Sequence, residues 1–476
     1  MTYILQDFFI TILRPFLSVA DKLDERTKSI LRVICFTGLF MLCSMTRVIR
    51  GANYQYYNYY TLACCIIMSI IMILSLDKKV ERVNWDKSLS VILIILFMLM
   101  AISEFLIPKS QSYIEVVLII FFGGLAFVWH NHENREVLWE NIFIAIRITF
   151  LILVVISMLF RPMQEGCRYS GFFLNPNSAA YHLIPIIAVY IGTIDGMIRR
   201  KQPLWKALGC FVGLGVAMCF LLVSQSRTSF CAIFTMLGCW ILIRLYISKN
   251  EKKLVLYLKY MAALICTIII VYPVCNVMLH NVPNMVNHPI VYANDKPYRV
   301  RDFDYAEKKA TGTKAPASKK TFLSEIEDIL DSEFLDTILS GRLTVYKAYI
   351  NRLNWIGHEN VTINVKSGLW TSAHNNILQF AYIYGNLTII PYIILILLAL
   401  AYSIKYFVRN YNSKIYAIFP FIFVTGFAIN TMFEAVFQPF HRFTAFIFWL
   451  IIGELLIDTI NEKIKSRKVK AVDKIS

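Results

Sequence analysis

The chain has 476 residues, of which 57% are hydrophobic, a mean hydropathy of +0.57 and a formal net charge of +17 at pH 7. Soluble domains contain only about 45–50% apolar residues. The composition therefore excludes an ordinary soluble protein and predicts an all-α, polytopic integral membrane protein. No aromatic-interleaved basic surface or binding motif accompanies the positive charge, so nucleic acid is excluded as a partner and the lipid bilayer is expected instead.

Apolar runs long enough to cross a bilayer as helices, each of about 20 residues, recur along the chain. They predict about twelve transmembrane helices, near 30–46, 58–76, 89–107, 113–129, 141–160, 178–195, 204–223, 228–247, 256–275, 376–403, 415–432 and 441–459. Residues 1–28 carry charges and no small-residue cleavage site, so we expect a cytoplasmic segment there and no cleaved signal.

Lysine and arginine are concentrated in one of the two sets of connectors. Segments such as "DKKVERVNWDK", "RRKQPLWK" and the tail "NEKIKSRKVKAVDK" are basic, and short basic loops stay in the cytoplasm. Both termini are therefore predicted to be cytoplasmic. The predicted order is helices 1–9 over 29–275, one large extracytoplasmic loop over 276–374, helices 10–12 over 375–460 and a basic tail over 461–476.

The long loop contains two predicted amphipathic helices. In "TFLSEIEDILDSEFLDTILS" five apolar residues share one helical face opposite carboxylates: Phe322, Ile326, Ile329, Leu330 and Leu335. A second helix is predicted to begin after Ser340, with Arg342 in its first turn. Its apolar face is predicted to contain Leu343, Tyr346, Ile350 and Leu353. The loop is thus expected to form a partly helical cap.

Cysteine usage does not indicate a disulfide scaffold. Ten of the eleven cysteines lie in or at the ends of predicted spans, and Cys167 is the exception. No disulfide framework is therefore expected.

With this orientation, most of the unusual polar residues fall on the outer face. They come from distant parts of the sequence: Arg168, Asn175 and Asn177 before the sixth span, Arg227 after the seventh, Arg342 and Tyr346 in the loop, His374 and Asn375 at the start of the tenth span, and Glu434, His441 and Arg442 at the outer end of the last two. Such convergence predicts a polar site on the extracytoplasmic face.

Several of these residues also have a purely structural interpretation. Asn175 followed by Pro176 is the pattern of an N-cap with proline in the first turn. Arg227 could extend from a helix end to the membrane interface. Arg342 could be a solvated loop charge, and His374 could be a structural histidine at a helix start.

Two other clusters are interpreted as non-functional. His130, His132 and Glu133 in "HNHENRE" are predicted to lie in a solvated cytoplasmic connector that lacks further metal ligands. Asp302 and Asp304 in "RDFDY" have the spacing found in metal-dependent sugar transferases, but they lie in the flexible part of the loop. We therefore expect no metal or other cofactor.

Arginines at an outer membrane face suit a phosphate-bearing ligand, because guanidinium binds phosphate through two parallel hydrogen bonds and stays protonated. N–H groups at a helix starting with Arg342 would add to such an anion site. No nucleotide sugar or ATP is supplied outside the cytoplasm, so a preassembled lipid-linked pyrophosphate sugar would have to bring the energy. A histidine can then accept the proton of an attacking hydroxyl.

Four stretches resemble those of the O-antigen ligase and O-antigen polymerase superfamily: "RYSGFFLNPNSAAYHL", "SQSRTSF", "SGRLTVYKAY" and "HNNILQFAYIYGN". The resemblance extends over nearly the whole chain, in order and in topology. His374, Asn375, Gly385 and Thr388 also satisfy a ligase-type pattern of that superfamily.

The resemblance implies a GT-C-like, metal-independent glycosyltransferase of the bacterial cytoplasmic membrane. In such an enzyme Arg168, Arg227 and Arg342 would bind the pyrophosphate of an undecaprenyl-linked oligosaccharide, and His374 would activate the acceptor hydroxyl. The supporting polar site would comprise Asn175, Asn177, Asn375, Tyr346, His441, Arg442 and Glu434. A flippase and a chain-length regulator are implied as partners.

Three functions compete on this basis. The leading hypothesis is a polymerase of lipid-linked repeat units for a surface glycan, and the second is a ligase that transfers finished glycan to another acceptor. Both use the same donor and the same arginines. A flippase for the same lipid is less favoured, because transporters place their sites near the midplane. Arg147 is predicted to be the clearest buried charge, but it lies close enough to the cytoplasmic end for its side chain to reach that surface.

Overall fold

A computed structural model gives the structure of the chain at residues 2–52, 57–76, 81–108, 124–126, 128–132, 134–164, 167–173, 175–250, 253–286, 290, 342–365, 368–370, 372–436 and 443–458. Several predictions fall outside these described residues. They concern the amphipathic helix around 322–335, Ser340, Glu133, Asp302, Asp304 and the site residues His441 and Arg442.

The described residues are mostly helical. In chain order the helices are α1 (Thr2–Ala20), α2 (Glu25–Ala52), α3 (Tyr57–Leu74), α4 (Lys87–Leu106), α5 (Arg135–Phe160), α6 (Pro176–Arg199), α7 (Leu204–Ser224), α8 (Arg227–Asn250), α9 (Leu254–Met285), α10 (Arg342–Ile350), α11 (Asn376–Tyr384), α12 (Ile389–Asn410), α13 (Phe419–Thr431) and α14 (Phe443–Asp458). A short antiparallel hairpin, not predicted from the sequence, pairs β1 (Ile363–Val365) with β2 (Gly368–Trp370).

Eight helices in the described part of the chain are long and apolar enough to cross a membrane: Glu25–Ser44, Lys87–Leu106, Arg135–Phe160, Pro176–Arg199, Leu204–Ser224, Arg227–Asn250, Leu254–Met285 and Asn386–Asn410. Three shorter apolar helices accompany them, at Leu62–Leu74, Phe419–Thr431 and Phe443–Leu456. The predicted helical, multi-pass membrane protein is confirmed at this level. The total of about twelve spans stays a prediction.

Two predicted spans differ clearly from the structure. The tenth span, predicted as one helix over 376–403, is broken at Gly385, whose φ of +94° lies in the left-handed region. A 3₁₀ turn over Asn386–Thr388 joins α11 to α12, and Thr388 Oγ1 donates to Gly385 O at 2.7 Å. The ninth helix, predicted to end at 275, continues to Met285.

Helix α6 forms the centre of the bundle. In its most apolar window, 94% of the residues are buried. Its neighbours approach closely because they present small residues. A Cβ on Gly213 of α7 would overlap the Tyr190 ring of α6, and one on Gly192 of α6 would lie 3.3 Å from Phe419 Cβ of α13. Since α6 touches helices on every side, its two ends can bring distant parts of the chain together.

The last residues of α6 form a buried ion network, at what we call the basal end of the bundle. Asp195 accepts hydrogen bonds from Arg199 Nε at 2.9 Å and Arg244 Nε at 2.7 Å. Arg244 Nη1 also donates to the Tyr411 hydroxyl at 2.8 Å. Arg147, by contrast, is only partly buried and donates to Thr193 Oγ1. The prediction that Arg147 is the clearest buried charge is therefore wrong.

The histidines of "HNHENRE" are packed against protein, so the predicted solvated connector is also wrong. His130 Nδ1 accepts from Trp85 Nε1 at 3.1 Å, and its Nε2 lies 2.6 Å from Gly453 O. His132 is buried, with its Nε2 3.8 Å from Glu25 Oε1. These contacts give both histidines a structural role at the basal end.

The other end of α6 faces the cap, which we define as residues 342–384. The cap has a small core of its own, formed by Val345 and Tyr349 of α10, Ile363 of β1, Ala373 before α11, and Tyr382 of α11. The predicted apolar face of α10 is thus shifted, and Ile350 is 51% exposed. Within the cap, α10 and the start of α11 lie over the beginning of α6.

Candidate functional site

The described residues of "RYSGFF" form a loop before α6. Arg161, at the end of α5, donates from Nε to Gly171 O at 2.6 Å and from Nη2 to Ser170 Oγ at 3.0 Å. Gly171 adopts a φ of +53°. Asn175 caps α6, because its side chain accepts from Asn177 N at 2.8 Å. The structural interpretation of Asn175 is therefore confirmed. This N-cap fixes the position of Asn177 in the first turn of α6.

Asn177 links the first predicted arginine to the last part of the chain. Arg168 Nη2 donates to Asn177 Oδ1 at 2.7 Å, and Arg168 Nε donates to Ser224 O at 2.9 Å. Asn177 Nδ2 in turn lies 3.4 Å from Glu434 Oε1. Asn177 thus joins the loop before α6 to the turn after α13, and Arg168 joins that loop to the end of α7.

Glu434 forms a buried salt bridge with Arg342, the first residue of α10. Arg342 Nη2 lies 2.9 Å from Glu434 Oε1, and its Nη1 donates to Phe433 O at 2.9 Å. The side chains are only 12% and 9% exposed. The alternative of a solvated loop charge at Arg342 is therefore wrong. Because burying a charge is costly unless it is paired, each of these residues depends on the other.

His374 lies against the second oxygen of the same carboxylate, with Nδ1 3.4 Å from Glu434 Oε2. Its φ of +48° is unusual for a residue with a side chain. His374 N donates to Ser372 Oγ at 3.2 Å, and the Tyr346 hydroxyl donates to His374 O at 3.0 Å. Burial raises the pKa of Tyr346, which keeps this donor protonated. Strained backbone of this kind persists where the surroundings hold it, and it is frequent at functional sites.

The contact with Glu434 also determines which nitrogen of His374 can act as a base. A neutral imidazole whose Nδ1 faces a carboxylate carries its hydrogen there, leaving Nε2 as the acceptor. The side chain of His374 is 28% exposed, and the Trp370 ring stands edge-on at 5.7 Å between centroids. The ring is therefore oriented by protein on one side and still accessible to a ligand.

The two asparagines after His374 bind the turn that contains Glu434. Asn375 caps α11 by accepting from Leu378 N at 2.9 Å, and its Nδ2 donates to Met432 O at 2.9 Å. Asn376 Oδ1 accepts from Val436 N at 3.2 Å. These bonds hold residues 432–436 beside the start of α11.

Three helices begin at this cluster. Asn177 lies in the first turn of α6, Arg342 is the first residue of α10, and His374 precedes the N-cap of α11. Helix N-termini carry partial positive charge and exposed N–H groups, and so favour anions. Together with Arg168 and Arg342 they make a strongly electropositive setting, which the carboxylate of Glu434 partly neutralises.

The structure thus brings most of the predicted site residues together. Arg168, Asn177, Arg342, Tyr346, His374, Asn375 and Glu434 form one connected cluster, which we call the Glu434 cluster, and Asn175 supports it as a helix cap. Arg227 is exposed at the first residue of α8, in the turn that follows Ser224. His441 and Arg442 lie outside the described residues, although they follow the Glu434 turn in sequence.

Sequence reasoning missed residues that hold this site in place. Arg161 shapes the loop before α6, the Ser224 carbonyl accepts from Arg168, and Tyr392 contacts Asn376 from α12. Only Arg161 gave a signal, as a charge directly after an apolar span. A main-chain carbonyl such as that of Ser224 has no signature in a sequence.

Within the described ranges, no three His, Cys, Asp or Glu side chains are grouped as a metal site would require. Comparisons of the chain with protein-family models, with curated proteins and with solved structures found no match.

Proposed function

We propose that this protein is a membrane glycosyltransferase that polymerises oligosaccharide repeat units carried on undecaprenyl pyrophosphate, at the extracytoplasmic face of a bacterial cytoplasmic membrane. The product would be a capsular, exopolysaccharide or O-antigen-type glycan. The observation that supports this best is the pairing of His374 with Glu434 inside a cluster of arginines and helix N-termini.

That pairing combines the two functions that the reaction needs. An oriented histidine is suited to remove a proton from a hydroxyl, and the electropositive setting is suited to stabilise a phosphate leaving group. A carboxylate oriented towards a histidine is also how other enzymes hold the base in its reactive tautomer. In this cluster His374 Nδ1 lies 3.4 Å from Glu434 Oε2.

In the proposed reaction, His374 Nε2 takes the proton of an acceptor sugar hydroxyl. The hydroxyl oxygen forms a bond to the anomeric carbon of the donor sugar, while the bond from that carbon to the pyrophosphate oxygen breaks. The bonding electrons leave with the undecaprenyl pyrophosphate. Glu434 stabilises the resulting imidazolium, and Arg168 and Arg227 interact with the pyrophosphate.

Arg342 takes a modified role in this proposal. It directs one nitrogen to Glu434 and another to the Phe433 carbonyl, so it positions the carboxylate that orients His374. The pyrophosphate contacts then fall mainly to Arg168, which is only partly buried, and to Arg227, which is exposed. This role differs from direct donor binding, which the family resemblance implies for Arg342.

Three residues of the ligase-type pattern also have structural roles. Asn375 of the ligase-type pattern caps α11, Gly385 ends that helix, and Thr388 closes the turn after it. Helix geometry accounts for these three positions, while His374 is common to the polymerase and the ligase hypotheses. The strained backbone of His374 favours catalysis over transport, since a transporter needs no oriented base.

The test is a product gel made with purified protein in liposomes, supplied with one undecaprenyl-pyrophosphate-linked repeat unit. We expect a ladder of lengthening glycans that disappears with His374→Ala. The matched control is His280→Ala, since His280 lies on α9 and bonds only its own helix at Asn276 O among the contacts described. That variant should give the full ladder.

Other outcomes would reject the proposal in distinct ways. Transfer only after a separate acceptor is added would make the protein a ligase. A ladder retained by His374→Ala at equal protein level would remove the histidine from the mechanism. Movement of labelled lipid across the vesicle membrane without bond formation would indicate a flippase.

A further inference from the structure

The N-terminal helix α1 has a stripe of apolar side chains that no described protein residue covers. Ile4, Phe8, Ile12 and Phe16, at spacings of four residues, are 73%, 48%, 46% and 40% exposed. Such a spacing places them along one side of the helix. An exposed apolar stripe of this length is unusual on a surface that faces water.

The other sides of α1 have different properties. Phe9 and Leu13 are buried against the bundle. Thr11, Arg14 and Ser18 are exposed and lie on a third side of the helix. At 100° per residue, the apolar stripe, the buried side and the polar side occupy separate sectors of the helix. A helix at the boundary of protein, lipid and water has this three-way division.

Polar contacts hold the first half of α1 on the connector between α3 and α4. Gln6 Nε2 donates to Val83 O, and Val83 N donates to Gln6 Oε1, each at 2.8 Å. Arg82 pairs with both oxygens of Asp7, at 2.7 and 2.8 Å. The start of α1 therefore lies beside residues 82–83, where one pass of the chain has ended and the next begins.

The second half of α1 ends at the same side of the bundle. Helix α1 stops at Ala20, and α2 begins at Glu25. Arg32, near the start of α2, donates to Leu74 O at the end of α3, at 2.8 Å. The start of α2 and the α3–α4 connector thus share one end. Since both halves of α1 are tied to that end, this helix cannot cross the membrane.

We propose that α1 lies along the basal surface of the membrane, with Ile4, Phe8, Ile12 and Phe16 inserted among the lipids of that leaflet. Helix α2, which begins near the same end, also exposes apolar residues, Ile30 and Ile34, and is one of the helices long and apolar enough to cross the membrane. Amphipathic helices bind membranes in this way, with the polar side towards water and the apolar side among the acyl chains.

The first test uses the unsubstituted full-length protein in vesicles of phosphatidylethanolamine and phosphatidylglycerol. A phospholipid with a photoreactive diazirine near the glycerol end of its acyl chain is included, and adducts are mapped by peptide mass spectrometry. We expect adducts on Ile4, Phe8, Ile12 or Phe16 and several-fold fewer on Thr11, Arg14 and Ser18. An even distribution, or no adduct on α1, would overturn the proposal.

The second test places the photoreactive group on the protein instead of on the lipid. Photoreactive benzoylphenylalanine replaces Phe8 or Phe16, and Thr11 or Ser18 in the matched controls, all of which are exposed. Lipid adducts at the two phenylalanine positions, several-fold above the controls, support a lipid-facing stripe. Cross-links to a second copy of the chain or to another polypeptide would show that protein covers the stripe.

Discussion

Glu434 interacts with three of the predicted site residues through one carboxylate, so its charge should affect both stability and activity. Glu434→Gln keeps the shape of the side chain but removes that charge. It leaves the Arg342 guanidinium buried without its ion-pair partner, which should cost about 3 kcal/mol of folding free energy. A lower melting temperature in detergent is the expected observation.

The stability effect can be separated from general damage by a double-mutant cycle. Arg342→Gln removes the other charge, so the double variant should lose less stability than the sum of the two single variants. Additive losses would show that the ion pair does not contribute. In the glycan assay, Glu434→Gln should also lower the rate about 10- to 100-fold, as expected when a hydrogen bond to a charged group is lost.

Arg168 allows a test of donor binding that keeps the positive charge. Arg168→Lys retains one cation but cannot reach both the Ser224 carbonyl and Asn177 as the planar guanidinium does. We expect a several-fold rise in the apparent KM for the lipid-linked donor. Arg200→Lys, an exposed residue at the far end of α6, is the matched control. Equal KM values would assign Arg168 to loop structure alone.

Only part of the Glu434 cluster could be predicted from the sequence. Arginine, asparagine and histidine near predicted helix ends were recognisable, because such groups are rare next to apolar runs. Their mutual contacts were not, since His374 and Glu434 are far apart in sequence and hydropathy carries no pairing information. The orienting role of Arg342 follows only from its bonds to Glu434 and Phe433.

At the scale of the elements, the turn at Gly385 determines how the cap joins the bundle. Hydropathy predicted one long helix here, since apolar residues continue on both sides of the break. The structure ends α11 at a residue with φ +94°, and a Cβ on Gly385 would collide with the Trp355 carbonyl oxygen. Only glycine adopts this conformation at little cost, so local backbone chemistry determines a boundary that hydrophobic periodicity cannot show.

Gly385→Ala should therefore destabilise the protein, by about 1–3 kcal/mol for the strained backbone and more if the Trp355 carbonyl has to move. Gly238→Ala is the matched control, because a Cβ there meets no atom within 4 Å and Gly238 lies inside α8. It should be neutral or slightly stabilising. Equal melting temperatures for the two variants would mean that the turn tolerates a side chain.

At the scale of the whole molecule, α6 separates two polar layers with different chemistry. The Asp195 network lies at its basal end and the Glu434 cluster at its start. The 24 residues of α6 correspond to about 36 Å at 1.5 Å per residue, slightly more than the hydrocarbon thickness of a bilayer. The two layers can therefore lie at opposite membrane surfaces.

The orientation of these two layers can be tested by cysteine labelling in intact cells. Glu359→Cys in the cap and Lys201→Cys in the turn after α6 both replace exposed residues. If both termini are cytoplasmic, as the basic connectors predict, a membrane-impermeant maleimide should modify Glu359→Cys directly and Lys201→Cys only after permeabilisation. The unsubstituted protein corrects for native thiols. The reverse pattern would place the Glu434 cluster in the cytoplasm, where nucleotide-activated donors are available, and would remove the reason for assigning it a lipid-linked pyrophosphate.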